Sequence, residues 1–141
     1  MNKNKGFSLV ELIVVVAIMA VLVGILAPAY LSYVEKTRRG TDEDSAEEVR
    51  RAVEIATADI CVYEAVRGGG VTVTCANDTK ISACTSNTTL SQALVDAFGD
   101  KKFSVKSKYY DRQTYNISIS TPSGGTVGSA LVVTGCWSGH N

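Results

Sequence analysis

The chain has 141 residues with 14 basic and 14 acidic side chains, which suits one domain of ordinary size plus one special segment. Balanced charge excludes a chain built on bulk attraction to nucleic acid or to an anionic membrane surface. Apolar residues make up 45%, an ordinary share, but their placement is lopsided.

A short basic segment, Met1 to Lys5, comes first, then Gly6, then an apolar stretch beginning at Phe7. From Leu12 to Val34 stand 23 residues without a charge, mostly Val, Ile, Leu, Ala and Met. As a helix this run would reach roughly 35 Å, against a hydrocarbon core of about 30 Å. A secretory signal carries a small-residue cleavage site after its apolar stretch; none with that spacing closes this one. Processing at Gly6 would leave the apolar helix on the mature chain, so the segment must act after export. Glu11 breaks the pattern, standing among Leu9, Val10, Leu12 and Ile13. An acidic residue costs about 2.5–3.5 kcal/mol at the centre of a membrane helix and less near an end. Glu11 is therefore either a functional site awaiting a partner or a helix-end carboxylate reaching back to the lipid headgroups.

Lys5-Gly6-Phe7-Ser8-Leu9-Val10-Glu11-Leu12 resembles the G-F-[ST]-L-[VI]-E-L signature of type IV prepilins and the related pseudopilins. The resemblance extends over the apolar run, through Pro28, to about residue 35; beyond that it rests on architecture. It implies cleavage between Gly6 and Phe7 by a membrane-embedded prepilin peptidase, and N-methylation of the new amino terminus at Phe7. Gly6 has no side chain to keep the protease from the backbone. It implies storage in the inner membrane, then polymerisation by an assembly platform and its ATPase machinery into a helical homo-oligomeric filament on the cell surface. Assembly would use Phe7 and Glu11, the amine of an incoming chain meeting Glu11 of a chain already in the fibre. The stretch between Gly24 and Pro28 would unwind as the subunit leaves the bilayer. The domains implied are a leader, 1–6, a transmembrane and assembly helix, 7–34, and a headgroup, 35–141. Losing the leader removes Lys3 and Lys5 and leaves 12 basic against 14 acidic side chains, a formal −2. Lys36, Arg38 and Arg39 rival Lys3 and Lys5, so loop charge leaves the orientation undecided; the topology rests on the resemblance and on the cysteines.

Further along, Pro28 removes a backbone donor and Gly24 weakens the helix. Gly40 and Thr41 mark a second weak point, with a restart capped by Thr41 and followed by Asp42, Glu43 and Asp44. The acidic run Asp42 to Glu48 lacks the ligand alternation of a calcium loop and reads as a solvated helix start. Ala46, Val49, Ala52, Val53, Ala56, Ile60 and Tyr63 form an apolar stripe at three-and-four spacing. Glu35 to Arg39 and Glu47 to Arg51 are favourable i,i+4 pairs. Gly68-Gly69-Gly70 ends the helix. Val71 to Cys75 alternates like a strand, and Asn77 to Thr89 is loop with a short strand at Ile81. Leu90 to Phe98 is a helix capped by Thr88 or Thr89 and closed by Gly99. Strands are expected at Phe103 to Ser107, Thr114 to Ser120 and Ala130 to Thr134, with a turn at Ser123-Gly124-Gly125. The fold class is α+β: a long N-terminal helix on a three- to four-stranded antiparallel sheet.

Cys61, Cys75, Cys84 and Cys136 all follow the apolar run, and an even count in an exported domain favours two disulfides. Three connectivities exist. Cys75 with Cys84 and Cys61 with Cys136 is preferred, because the second bridge closes a long loop; Cys61 bridged to a flanking loop stays open. His140 is the only histidine, and neither a metal site nor a catalytic set is expected, nor any cofactor. Lys101, Lys102, Lys106 and Lys108 read as a solvated strand edge, and no nucleic-acid partner is expected. The function read from the resemblance is a non-enzymatic subunit of a type IV pilus serving adhesion, motility or aggregation. A type II secretion pseudopilin and a DNA-uptake pilin are the alternatives.

Overall fold

The computed structural model describes residues 7–121 and 131–138. The leader with Gly6, the expected Ser123-Gly124-Gly125 turn and His140 lie outside the described residues. Helix α1, Leu9–Ala56, contains Gly24, Pro28 and Gly40 without a break. The chain divides into two compact units, one ending at Thr37 and the other beginning at Arg38.

In the first unit the helix opens just after Ser8, whose carbonyl accepts the N–H groups of Glu11 at 3.0 Å and Leu12 at 3.2 Å. In the second unit the restart expected at Thr41 does not occur. The Thr41 carbonyl instead accepts the Ser45 hydroxyl at 2.9 Å within a continuous helix. A helical glycine costs about 1 kcal/mol relative to Ala, less than burying Ala46, Val49 and Val53 contributes.

The helix also stops before the three glycines. Thr57 turns its hydroxyl onto the Glu54 carbonyl at 2.7 Å, and the N–H groups of Ala58 and Asp59 reach back only three residues. Asp59 then caps α2, Ile60–Val66, by accepting the Cys61 N–H at 2.8 Å. This break turns Ile60 outward, off the expected stripe, and leaves it 70% exposed.

Strands β1 (Val71–Cys75), β4 (Tyr115–Ser120) and β5 (Val132–Trp137) form an antiparallel sheet with β4 in the middle. Between them come β2 (Thr79–Lys80), a 3₁₀ turn at Ile81–Cys84, α3 (Thr88–Phe98) and β3 (Lys102–Phe103), with β2 paired to β3. The α+β class is as expected. The cap of α3 is Asn87, whose side chain accepts the Leu90 N–H at 3.0 Å, rather than Thr88 or Thr89. Where a strand was expected to run on to Ser107, the ladder ends at Phe103. From Val105 the backbone N–H groups bond to side chains instead: Val105 to Asn77, Lys106 and Ser107 to Asp42.

Register puts Val73, Ile117 and Gly135 side by side on the inner face. Val49, Val53, Val73, Ile117, Ile119, Leu90 and Leu94 form the centre of the core, each at most 1% exposed. Phe103, Tyr110, Tyr115 and Trp137 close its end, with Tyr110 and Trp137 stacked at 4.2 Å. Gly135 makes room for this cluster: a Cβ there would lie 2.6 Å from Cζ of Tyr115.

Candidate functional site

In the first unit every residue from Phe7 to Tyr33 is exposed. Large apolar side chains from Leu9 to Leu31 are all exposed, and they stand on every side of the helix. A helix apolar all round is one meant to be surrounded, by lipid or by other helices. It is long and apolar enough to cross a membrane. Val14, Ala17, Ile18, Val21 and Leu22 follow three-and-four spacing and line a shallow apolar groove on one side. A Cβ at Gly24 would meet nothing within 4 Å, so no contact inside the chain requires glycine there.

Glu11 stands in the first turn, where the unpaired N–H groups of a helix start favour a negative side chain. It is the only charged side chain between Phe7 and Val34. Phe7 precedes the helix and is 83% exposed, four residues before Glu11. Sequence reasoning passed over Tyr30 and Tyr33, which are 65% and 68% exposed at the end of the apolar run. Their signal was available: aromatic rings with a polar tip gather where a membrane helix meets water.

The cysteines fall into two classes. Cys75 and Cys84 are buried, and the Cys84 thiol donates to the Lys80 carbonyl at 3.5 Å. The neighbouring Cys84 side chain, with burial, pushes the Cys75 thiol up. A β-bridge between Val73 and Thr85 brings the two stretches of backbone together. Cys61 and Cys136 are exposed, on α2 and on β5. Cys136 lies opposite Asn116 in the ladder, so it alternates away from the inner-face neighbours Gly135 and Trp137.

Asp42 is the second omission, and here the sequence reading is overturned. Read as part of a solvated helix start, it is 1% exposed. Its two carboxylate oxygens accept the backbone N–H groups of Lys106 and Ser107, each at 2.8 Å. One turn of α1 thereby holds the segment between β3 and β4. Glu43 extends the hold by accepting the Tyr110 hydroxyl at 2.8 Å, and Arg39 lies 4.2 Å from the Tyr109 ring centre. The expected Glu47 to Arg51 pair forms at 3.7 Å, beside a closer Glu47 to Arg50 pair at 2.6 Å. No group of three or more His, Cys, Asp or Glu side chains suited to a metal occurs among the described residues.

Residues 1–27 match the family described as the prokaryotic N-terminal methylation motif. The chain is 32% identical over 65 residues to prepilin peptidase-dependent protein A of Clostridium perfringens, 46% of each chain. It is 47% identical over 38 residues to fimbrial protein Q and to the type IV major alpha-pilin of Moraxella bovis. Those 38 residues are 27% of this chain and 24% of each of the two relatives. The matched stretch thus covers less than half the length of each relative. No solved structure matches the chain.

Proposed function

We propose that this chain, which carries the N-terminal segment of type IV prepilins and pseudopilins, is a structural subunit that polymerises into a surface filament. The observation that carries the reading is the first unit: apolar side chains exposed on every side, with one carboxylate in the first turn. Lipid covers that surface while the subunit is stored in the inner membrane, and the same segments of other subunits cover it in the fibre. A prepilin peptidase cuts between Gly6 and Phe7, and the new amine at Phe7 is methylated. An assembly platform and its ATPase then extract the subunit. No catalytic role is assigned to the chain.

In the fibre the Phe7 amine of an incoming subunit pairs with Glu11 of one already placed. An unpaired charge in that low-dielectric surrounding is strongly unfavourable. The pair therefore selects one axial stagger, as a polar side chain sets register in a coiled coil. The stretch from Gly24 to Pro28 supplies the flexibility that extraction needs. It combines an open glycine with a proline that leaves a carbonyl without its donor. Outside the bilayer Cys75 bonds to Cys84, and Cys61 to Cys136 by count.

Intact-mass and peptide analysis of sheared surface filaments, without reductant, tests this directly. We expect a chain beginning at N-methylated Phe7, and peptides joined through Cys75 and Cys84. A filament subunit that keeps Met1 to Gly6 would refute the processing, and four alkylatable thiols would refute the bridges. A deletion strain that keeps its filaments but fails to export proteins would favour the pseudopilin.

A further inference from the structure

Balanced total charge hides a local imbalance. Lys101 and Lys102, grouped by sequence with Lys106 and Lys108, are each committed to a carboxylate at 2.9 Å, Glu48 and Asp78. Lys80 is likewise paired with Asp100. Lys106 and Lys108 belong to a different place. The Asp42 hold brings them to the turn of α1 that carries Arg38 and Arg39, and Arg112 follows farther along the same segment.

All five of these cations are exposed. Arg38, Lys106 and Arg112 make no ion pair among the described residues. Three nearby carboxylates are occupied elsewhere: Asp42 by two backbone N–H groups, Glu43 by Tyr110, Asp111 by the Asn77 amide. Val105 and Ser107 are buried while Ser104, Lys106 and Lys108 are exposed, so both lysines stand on the open side. Tyr109, 38% exposed against Arg39, adds an apolar ring with a polar tip.

Connectivity says what this face meets. Arg38 follows Val34, the last residue of the uncharged run, by four residues, about 6 Å of helix. Cations tethered so close to a bilayer lie within the reach of its surface potential. We propose that Arg38, Arg39, Lys106, Lys108 and Arg112 form a docking face for anionic phospholipid headgroups of the bilayer that α1 crosses, holding the stored subunit to the membrane until assembly. This rests on the membrane-stored reading above.

The full chain, reconstituted at one copy per lipid nanodisc, tests it through trypsin, which cuts at Lys106, Lys108 and Arg112. Discs of phosphatidylcholine are compared with discs of equal phosphatidylcholine and phosphatidylglycerol. We expect cleavage at these sites to be about tenfold slower in the anionic discs, with the difference removed by high salt. Arg38→Gln with Arg39→Gln should restore fast cleavage, whereas Arg38→Lys with Arg39→Lys should keep the protection; unchanged Trp137 fluorescence melting shows that both variants fold. Equal cleavage in the two lipids, with the chain co-eluting with both discs, overturns the face and leaves the membrane reading standing. Protection that appears only with several copies per disc, whatever the lipid, assigns the face to a second subunit and also overturns it. A chain that co-elutes with neither disc removes the membrane reading and the face together.

Discussion

Two stretches of one helix, both rich in Val and Ala, meet opposite fates. From Leu9 to Leu31 the large apolar side chains are exposed, while Ala46, Val49 and Val53 are at most 2% exposed. The difference lies in arrangement. In the later stretch, apolar residues recur at three-and-four spacing among Glu47, Glu48, Arg50 and Arg51, so one side can be buried by one sheet. In the earlier stretch they occupy every side, and no single partner face could cover them. A stripe therefore specifies a fold within the chain, whereas an all-round apolar surface specifies an environment outside it.

The strongest way to break that comparison is to attack the earlier stretch and ask whether the later one notices. Glu11→Ala should reduce surface filaments below detection by electron microscopy, while membrane insertion, cleavage and headgroup melting stay as in the parent. Normal numbers of full-length filaments from a strain carrying only this variant would make Glu11 a carboxylate that merely reaches the headgroups.

A second pair of substitutions sharpens the contrast. Ile117→Ala should cost about 2–5 kcal/mol, because a fully buried side chain leaves a cavity that the sheet and α1 fill only in part. At about 4–8 °C per kcal/mol for a domain of this size, melting of the detergent-solubilised chain should fall by roughly 10 °C or more. Val21→Ala removes apolar surface already 63% exposed and should leave that melting temperature unchanged. Equal shifts from the two variants would mean that the units do not differ in what stabilises them.

How much was legible follows the range of the interactions. The apolar run, β1, α3, β4 and the α+β class were legible because period, run length and Gly99 are local signals. The break after Ala56 was missed, though Asp59 before Ile60 is a capping signal, because the apolar spacing ran on past it. Strand β5 was placed at Ala130 to Thr134 and is found at Val132–Trp137, since β-propensity could not foresee a register set by pairing with β4. Asp42 was misread for a deeper reason. Its partners are the backbone N–H groups of Lys106 and Ser107, more than sixty residues away. Nothing local separates a carboxylate that will be buried by such donors from its exposed neighbours Glu43 and Asp44.

The smallest expected effect tests the edge of the second unit, where α1 meets the segment that Asp42 holds. Tyr110 is 5% exposed and donates to Glu43 at 2.8 Å. Burial first, then the hydrogen bond to Glu43 and that carboxylate's charge, push the phenol up to about 12 from its usual value near 10; Tyr109 adds to the push and Arg39 opposes it. The protein thus favours the neutral phenol when folded, and the unfolded chain loses that proton at lower pH. The resulting stability is fully present below about pH 10 and is lost as pH rises through about 12. Tyr110→Phe should cost about 1 kcal/mol at neutral pH through the lost hydrogen bond. It should also flatten the decline in stability between pH 10 and pH 12 relative to the parent. Urea titrations of both proteins across that range decide the matter. An equally steep alkaline decline in the two would place the sensitive phenol elsewhere, and Tyr115, which burial also pushes up, would be the next to replace.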